Sequence, residues 1–513
     1  MARFYLTTAI DYSNGDPHIG HAYEKIGADA IARFHRLHGR DVHFLIGMDE
    51  HGQKVAQTAA AMNVRPQELV DTLAERFAAT WARLGISNDQ FIRTTSPAHV
   101  RGVRALLERI LERNRDDFYE KAYEGWYCVG CEAFKQPAEI ADGKCVLHPT
   151  RTLEWVQERN WFFRLSRYQE FLKRHLAAHP AFVQPESRRN EVLGWLDQGL
   201  EDVSASRSRF SWGVPFPKRT SDGEQQTTYV WFDALPNYLT ATGFPDAGSD
   251  RRWPASLHVV GKDITRFHAV IWPAILASAE LPLPERIWAH GFVLLGGDRF
   301  SKSGGVKLDL DEAIGRFGPD PFRYFLLREV PFDADGNFSW ERFEERYNAD
   351  LANAWGNLVS RVVSMIARYR GGVTPAGAAM ETDSLDASDV ADYVAAMDGT
   401  RGYLLHEALK IVFRMVSRAN EYVQTSAPWT VAKRAESSRQ LDDILASLSR
   451  QLTRQCVLLH PFMPERSQAA WRQLGGVGAV VDQRLASLDT MNPAGWRVAK
   501  GEPLFPKAER PAP

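Results

Sequence analysis

Short apolar runs alternate with longer amphipathic stretches from Arg3 to Ile110. The runs Arg3 to Ala9 and Asp41 to Met48 are rich in β-branched and aromatic residues, and polar turn residues follow each of them. Apolar positions at helical spacing come next, first over His18 to Leu37, just before Gly39. This order of strand, turn and helix is typical of a doubly wound parallel sheet.

The alternation stops near Asp116 and resumes with two apolar runs that predict further buried strands, Thr228 to Phe232 and Ser256 to Val260. The intervening segment is rich in Trp, Arg and Glu and contains three of the four cysteines. The pattern therefore predicts one α/β domain that is interrupted by an insertion over residues 116–227.

Beyond Arg342 the apolar residues follow helical spacing. The predicted helices cover Ala349 to Arg370, Ala391 to Ser426 and Gln440 to His460. The small, acidic and turn-prone stretch Gly371 to Ser388 is predicted to be a surface loop. The C-terminal part is therefore predicted to be an all-α bundle.

The predicted fold class is α/β, with a doubly wound parallel-sheet (Rossmann-like) domain, its insertion and a following helical domain. The boundaries are 1–115 for the first half of the sheet domain, 116–227 for the insertion, 228–300 for the second half, 301–347 for a connecting segment, 348–500 for the bundle and 501–513 for a tail.

Composition fits this picture of several domains. A chain of 513 residues is too long for one hydrophobic core. It is 44% hydrophobic, 11% aromatic and 25% charged, which is ordinary for a globular protein and excludes a disordered or fibrous chain. With 62 Lys and Arg against 64 Asp and Glu, the net charge is −2. This balance argues against a protein that coats nucleic acid, but it leaves room for a local basic face.

The chain carries no sign of export or membrane insertion. No apolar run approaches the ~20 residues of a membrane span, and the N-terminus leads directly into a predicted strand without a signal-peptide core. Four cysteines, three of them clustered, fit a reducing compartment and a metal site better than a disulfide framework. We therefore expect a soluble, cytoplasmic protein with no membrane partner.

A candidate phosphate site lies where the first strand gives way to the first helix, at Asp16-Pro17-His18-Ile19-Gly20-His21. Asp16 suits the N-cap and Pro17 suits the first helical position. Both imidazoles would then lie in the first turn, beside unpaired backbone N–H groups and the positive end of the helix dipole, where anions bind. Gly20 would let a flat base or ribose approach the backbone.

The second candidate phosphate-binding element is the run from Asp298 to Gly305, in which Lys302 stands between Ser301 and Ser303 and paired glycines follow. His-Ile-Gly-His after the first strand, combined with Ser-Lys-Ser after the last strand of the resumed domain, resembles a class I aminoacyl-tRNA synthetase. The "HIGH" motif is intact at residues 18–21. The "KMSKS" motif is present at 299–303 with Arg299 and Phe300 in its first two positions, and Arg does not reproduce the geometry of Lys.

This resemblance implies an ATP site with Mg²⁺ on the phosphates. The implied catalytic residues are His18, His21 and Lys302. The implied ATP-binding residues are His18, Gly20, His21, Arg299, Ser301, Lys302 and Ser303.

Within that class the chain is similar to the methionyl-tRNA synthetase family over nearly its whole length. The strings that carry the similarity are 7–12 (TTAIDY), 47–52 (GMDEHG), 230–238 (VWFDALPNY), 261–264 (GKDI), 267–268 (FH) and 272–273 (WP). The implied methionine pocket consists of Ile10, Tyr12, Asp49, Trp231, Ala234, Pro236, Tyr238, Phe267, His268 and Trp272. The chain departs from the family at Asp11, where a small or aliphatic residue is usual.

The chemistry of methionine fits these residue types. A flexible thioether is best held by aromatic rings, each sulfur–aromatic contact contributing ~0.3–1.5 kcal/mol. One carboxylate is needed for the α-ammonium group, and Asp49 at the end of a predicted parallel strand is placed for it.

The insertion contains Cys128-x2-Cys131 and, after thirteen residues, Cys145-x2-His148. Each pair closes a tight turn with two metal ligands on one side, and together they complete a tetrahedron, as in zinc knuckles. Four protein ligands leave no open position on the metal. We therefore predict one structural Zn²⁺ ion, and the family resemblance points the same way.

The helical domain carries candidate RNA contacts. Asn353, Asn357 and Arg361 are four residues apart and are predicted to share one helix face, and Trp429 follows Pro428 at a predicted helix start. Loop bases of RNA are read by aromatic stacking and hydrogen bonds. Asn357, Arg361 and Trp429 match the anticodon-binding positions of the family.

The resemblance further implies that residues 301–347 hold the KMSKS loop and a stem-contact fold, and that 348–500 bind the anticodon. No appended dimerisation domain follows, so we expect a monomer.

The expected function is that of a methionine–tRNA ligase that uses ATP, L-methionine and tRNA(Met). Two alternatives stay open: a class I synthetase for another amino acid, and a tRNA-binding protein of synthetase type without turnover. A cysteine enzyme would need zinc in its amino-acid pocket, and a branched-chain enzyme would normally be longer. A small-molecule nucleotidyltransferase would leave the bundle unexplained.

Overall fold

The structure of the protein is a computed structural model, which describes residues 2–129, 131, 133–208, 211–295, 298–299 and 309–506. Strands and helices alternate at its start, as the hydrophobic pattern predicts. These elements are β1 (Arg3–Thr8), β2 (Asp11–Tyr12), α1 (Ile19–Leu37), β3 (Asp41–Asp49), α2 (Gln53–Ala61), α3 (Pro66–Arg83), β4 (Gln90–Arg93) and α4 (Pro97–Arg113).

The next segment is dominated by a long antiparallel pair of strands. Its elements are β5 (Phe118–Cys128), β6 (Ala133–Phe134), β7 (Ile140–Ala141), β8 (Lys144–Cys145), β9 (His148–Thr152), β10 (Glu154–Phe163), α5 (Gln169–Ala178), β11 (Val183–Gln184), α6 (Glu186–Gln198), β12 (Val203–Ser204) and β13 (Ser206–Arg207). β10 pairs with β5 along its whole length. β11 lies within the predicted insertion, yet it pairs with the central sheet.

The chain then returns to the central sheet and continues into short helices that connect it with the bundle. The elements are β14 (Thr227–Thr228), α7 (Val230–Ala234), α8 (Asn237–Thr240), β15 (Leu257–Gly261), α9 (Trp272–Ser278), β16 (Ile287–His290), β17 (Val293–Leu295), β18 (Asp298–Arg299), α10 (Leu310–Phe317), α11 (Pro319–Glu329), β19 (Gly336–Phe338) and α12 (Trp340–Arg346).

The C-terminal part is helical. A π-helical stretch, Tyr347–Gly356, leads into α13 (Asn357–Tyr369), α14 (Glu381–Met397), α15 (Leu405–Ser426), α16 (Pro428–Val431), α17 (Ser438–Leu459) and α18 (Pro464–Gln473). Among the described residues of the whole chain, no helix is both long enough and apolar enough to cross a bilayer.

The central sheet is parallel, with strand order β11-β16-β15-β1-β3. β2 and β4 both pair with β3, again in parallel. Because all strands run in one direction, the segments that follow β1, β3, β15 and β16 meet at one edge, where open α/β sheets bind their ligands. The α/β class, the parallel sheet and the helical C-terminal part are confirmed.

Three of the predicted elements are wrong in detail. Thr228 to Phe232 is not one strand: Thr227–Thr228 is a short strand, and the apolar residues that follow begin α7. A short apolar run does not distinguish a buried strand from a buried helix.

The predicted helix Ala391 to Ser426 is two helices. α14 ends at Met397 and α15 begins at Leu405, because Gly399 and Gly402 take φ values of 83° and 88° that a right-handed helix cannot contain. The predicted loop Gly371 to Ser388 is helical from Glu381 onward.

Candidate active site

His18 is the N-cap of α1. Its Nδ1 accepts a hydrogen bond from the Gly20 N–H over 3.1 Å, and Nδ1 of His21 accepts one from the His18 N–H over 3.3 Å. The two rings stack, with centroids 3.6 Å apart. Since Nδ1 accepts in both rings, each neutral imidazole carries its proton on Nε2, the tautomer that can donate to a phosphate oxygen.

The prediction that Asp16 caps this helix is wrong. Asp16 is exposed and pairs with Arg76 over 2.8 Å, and the helix begins two residues later than expected. The His18 ring takes the capping position, and a side chain at Gly20 would crowd it, because a Cβ there would lie 3.0 Å from Cε1 of His18. The glycine of this motif therefore makes room for the capping imidazole.

The predicted methionine pocket lies at the carboxyl edge of the sheet. Ile10 and Tyr12 follow β1, and Tyr12 pairs in register with Asp49, the last residue of β3. Asp49 is 8% exposed. The structure thus brings the candidate carboxylate for an α-ammonium group next to the first two pocket residues.

Aromatic residues from two further segments close this region. The Trp231 ring, on α7, stacks on Phe267 with centroids 3.6 Å apart and planes within 10°. The π-helical turn Phe267–Ile271 carries Phe267 and His268 and leads into Trp272. The ring of Tyr238 lies 5.6 Å from that of His268 and 6.3 Å from that of Trp272. Ala234 ends α7, and Pro236 stands immediately before α8.

His268 is held as a neutral ring with a defined tautomer. Its Nδ1 donates to the Ile264 carbonyl over 3.0 Å, so its Nε2 accepts the hydrogen bond from the Tyr238 hydroxyl over 2.7 Å. Burial lowers the pKa of His268 to about 4. Its hydrogen bonds therefore stay fixed at neutral pH, and the pocket gains a polar pair without a net charge.

A buried carboxylate next to the pocket, Asp233, was not among the residues predicted from the sequence. Asp233 accepts hydrogen bonds from His51 Nδ1 over 2.7 Å and from His99 Nε2 over 3.0 Å. Burial opposes its charge, but the two imidazoles hold the pKa of Asp233 below its usual value. Asp233 and His51 stand inside the strings compared with the family, so that comparison was the signal that could have found them.

The four predicted metal ligands come together in the insertion. The ligand atoms of Cys128, Cys131, Cys145 and His148 all lie within 4.8 Å of one another. Sγ of Cys131 lies 3.5 Å from Sγ of Cys145 and 3.2 Å from Nδ1 of His148. Such separations fit the corners of a tetrahedron around a metal with Zn–S bonds of about 2.3 Å.

The candidate KMSKS residues are located only in part. Arg299 belongs to β18, where it pairs with Leu294 of β17. Ser301, Lys302 and Ser303 lie outside the described residues.

The candidate anticodon residues are accessible on the bundle. Asn357 is exposed and Arg361 half-buried, both on α13, and Trp429 on α16 is 39% exposed. Among the described residues, no hydrogen bond or ring contact joins Trp429 to the other two. Asn353 is also exposed and lies in the π-helical stretch that leads into α13.

Comparison with known proteins defines the class. Residues 4–145 and 131–363 match the family of class I tRNA synthetases (M). Curated methionine–tRNA ligases of Streptomyces coelicolor and Brucella suis are each 42% identical to this chain, over 99% and 98% of it and over 97% and 98% of their own lengths.

Solved structures agree with the sequence relatives. The Mycobacterium tuberculosis methionyl-tRNA synthetase in complex with methionyl-adenylate is 39% identical, with a TM-score of 0.92 over 99% of this chain and 100% of that one. Its apo form is 36% identical, with a TM-score of 0.86 over 100% and 99%.

The family match defines a class I tRNA synthetase, an ATP-dependent ligase. The parallel sheet and the helix α1, whose N-cap is His18, agree with this class. Within that class, the chain belongs to the methionine–tRNA ligase family.

Proposed function

We propose that this protein activates L-methionine with ATP to give methionyl-adenylate and pyrophosphate, and then transfers methionine to the 3′-terminal adenosine of tRNA(Met). The likeness to a synthetase solved with methionyl-adenylate, over 99% of this chain, is the observation that carries this proposal. The geometry supports it, because His18 and His21 follow β2 and Asp49 ends β3, at the carboxyl edge of one parallel sheet.

The first step is attack of the methionine carboxylate on the α-phosphorus of ATP. A carboxylate is already ionised at pH 7, so no general base is needed, and catalysis rests on positioning and on stabilising charge in the transition state. His18 and His21 would donate from Nε2 at the positive end of α1, and Lys302 would bind the leaving pyrophosphate oxygens with Ser301, Ser303 and Arg299. Mg²⁺ bound to ATP would neutralise phosphate charge. In the second step a ribose hydroxyl of the tRNA attacks the activated carbonyl, so that an ester bond to methionine forms, the bond between the carbonyl and the phosphate breaks, and AMP and the hydroxyl proton are released.

The amino-acid subsite would combine one charge with an aromatic wall. Asp49 would pair with the α-ammonium group, while the rings of Trp231, Phe267 and Trp272 and the side chains of Ile10 and Tyr12 would surround the thioether. The neutral His268–Tyr238 pair adds shape and polarity without charge. An unbranched side chain suits this wall, whereas β-branching would crowd it.

The Cys128–His148 cluster would hold one structural Zn²⁺. Four protein ligands close the coordination sphere, so the ion contributes to the folding of the insertion rather than to the reaction. For tRNA, we propose that Asn357, Arg361 and Trp429 contact the anticodon, with Trp429 offering an exposed ring for stacking. We further propose a monomer that works in the cytoplasm.

The test is methionine-dependent ATP–pyrophosphate exchange, run in parallel with cysteine, leucine and isoleucine, followed by aminoacylation of tRNA(Met). We expect exchange with methionine and charging of tRNA(Met). Exchange with one of the other amino acids alone would identify a different class I synthetase. Binding of tRNA(Met) with no exchange for any amino acid would identify a protein without turnover and overturn the proposal.

A further inference from the structure

Lys25 is a fully buried lysine on α1 whose ammonium group has three acceptors. Its Nζ lies 2.9 Å from Oδ1 of Asp11 and 2.9 Å from Oε1 of Glu24, and it donates to the Ala9 carbonyl over 2.7 Å. An ammonium group has three protons to donate, so these contacts satisfy it completely. The mechanism proposed above uses none of these groups.

The cluster continues from Glu24 to His290. Oε2 of Glu24 lies 3.2 Å from Nε2 of His290, whose Nδ1 donates to the Gly291 carbonyl over 2.7 Å. Burial disfavours an ammonium group, but the carboxylates of Asp11 and Glu24 hold the pKa of Lys25 above its usual value. A buried charge is tolerated only when it is paired and hydrogen-bonded. The partners of Lys25 are therefore fixed in place as long as the ammonium is present.

Asp11 stands between two residues of the proposed methionine subsite. The Asp11 carboxylate reaches Lys25 on α1, whereas Ile10 and Tyr12 both pack against the hydrophobic cluster that contains Tyr238 and Trp272. Cγ2 of Ile10 lies only 3.1 Å from where a Cβ at Gly47 would stand, which places Ile10 tightly against β3. A shift of Asp11 would therefore move both of its neighbours.

We propose that Lys25 is a positioning residue for the methionine subsite. By holding Asp11 and the Ala9 carbonyl, it fixes residues 9–12, and with them Ile10 and Tyr12, relative to the helix that presents His18 and His21. This inference rests on the proposed function. It also accounts for Asp11, the position where the chain departs from its family, as the partner of a buried lysine.

The first test replaces Lys25 with a side chain of similar length and no charge, Lys25→Met. Because a misplacement of one ångström in a site can cost up to about a hundredfold, we expect the KM for methionine to rise about tenfold in pyrophosphate exchange. The KM for ATP should change less than about twofold, because the His18 cap is retained. The methionine Kd, measured by tryptophan fluorescence, should rise with the KM.

A second variant separates positioning from stability. In Asp11→Leu/Lys25→Met one of the two carboxylates that pair with Lys25 is removed together with it, and Glu24 keeps its contact with His290. The melting temperature should therefore recover in part relative to Lys25→Met. The Ala9 carbonyl then keeps only the Thr8 hydroxyl, over 3.0 Å, as a donor. Because residues 9–12 still lack their tie to α1, the KM for methionine should stay raised. Should Lys25→Met fail to fold, Asp11→Asn offers a milder test: it keeps an acceptor for Lys25 and should raise the KM by less than the double variant does.

Asp386→Asn is the matched control. Asp386 on α14 is a fully buried carboxylate that lies 3.2 Å from Arg418 and 3.6 Å from Arg454. Burial raises its pKa to about 7, as it does for Asp11. Loss of its charge should lower the melting temperature and leave the KM for methionine unchanged.

Each outcome decides a separate question. Absence of methionine-dependent exchange in the parent protein would refute the proposed function itself. Exchange in the parent with an unchanged methionine KM in Lys25→Met would refute the positioning role alone. Recovery of the KM together with the melting temperature in the double variant would also refute it, because the effect would then be structural only.

Discussion

Nη2 of Arg323 lies 2.6 Å from Oδ2 of Asp29, and both side chains are fully buried. Asp29 belongs to α1, and Arg323 belongs to α11. The same guanidinium donates to the carbonyls of Pro461 and Phe462, which follow α17, over 2.9 Å each. One side chain thus joins the helix that begins at His18 to the connecting segment and to the bundle.

Arg323→Met should destabilise the protein strongly. Truncating one partner of a buried pair typically costs about 3–5 kcal/mol, although Arg33 remains beside Asp29 at 2.7 Å and will reduce the loss. The measurement is urea unfolding followed by far-UV circular dichroism. Arg101→Met is the control, because Arg101 and its partner Asp246 are both more than half exposed and such pairs contribute about 0–1 kcal/mol. Equal losses in the two variants would show that the buried pair does not link these parts.

Stability should fall in mild acid because of buried neutral histidines. Burial lowers the pKa of His460 to about 3, while an unfolded histidine titrates near 6.5. Between about pH 6.5 and pH 3 the histidine is protonated in the unfolded state but neutral in the folded state. The free energy of unfolding therefore has its full value above about pH 6.5 and falls by up to about 1.4 kcal/mol per pH unit below it. His460→Gln should flatten the dependence of unfolding between pH 7 and pH 5 relative to the parent. The exposed His179→Gln is the control, and a slope unchanged in His460→Gln would contradict the prediction.

Lys302→Ala should slow adenylate formation by about 10²–10³-fold, the usual cost of losing one preorganised charge contact in a transition state. The affinity for methionine should change little, because the lysine is assigned to the phosphates. Pyrophosphate exchange measures the first effect and fluorescence titration the second. Lys307→Ala, five residues further along the chain, is the matched control. Unchanged exchange in Lys302→Ala would remove this lysine from the mechanism.

Cys145→Ser should reduce bound zinc from one equivalent toward none and lower the temperature at which the insertion unfolds. The reason is that loss of one of four ligands weakens a closed site whose binding energy is folding energy. Elemental analysis and calorimetry are the measurements. Cys456→Ala serves as the control, since Cys456 is buried in the hydrophobic core of the bundle and its loss should leave the zinc content unchanged. Metal-free parent protein would contradict the assignment.

Trp429→Ala should impair tRNA charging and spare amino-acid activation. Stacking of one base on an aromatic ring contributes about 1–3 kcal/mol, which corresponds to roughly a 5- to 150-fold loss in kcat/KM for tRNA(Met). Pyrophosphate exchange without tRNA should stay at the parent rate. Trp429→Phe should keep part of the charging activity, and a Phe variant as poor as the Ala variant would argue against stacking.

The clarity of the hydrophobic pattern and of the turn residues around an element explains whether that element could be predicted. The observed bounds of β1, α1, β3 and α17 agree with the predicted ones within two residues, because each element has a sustained, regular hydrophobic pattern and clear turn residues at its ends. The helical residues after Tyr229 and the break between α14 and α15 were not predicted. A five-residue apolar run fits a strand as well as a helix. Gly399 and Gly402 are recognised as a helix break only from their positive φ angles.

The features of the candidate site also fall into two groups, those that the sequence could predict and those that it could not. The HIGH motif, the zinc ligands and the pocket residues could be chosen from the sequence because their residue types and spacing are rare together. The His18 cap, the tautomer of His268 and the Asp233 pairing with two histidines could not, because each depends on which groups from distant segments meet.

By itself the sequence determined the α/β class, the helical C-terminal part, the family and the choice of candidate site residues, since these depend on residue type and on short-range spacing. Only the tertiary structure decided the partners of the buried charges. Lys25 meets Asp11, and Arg323 meets Asp29 across 294 positions. The physical reason is that a charge removed from water must find its counter-charge wherever the chain folds back, and no local pattern encodes that distance.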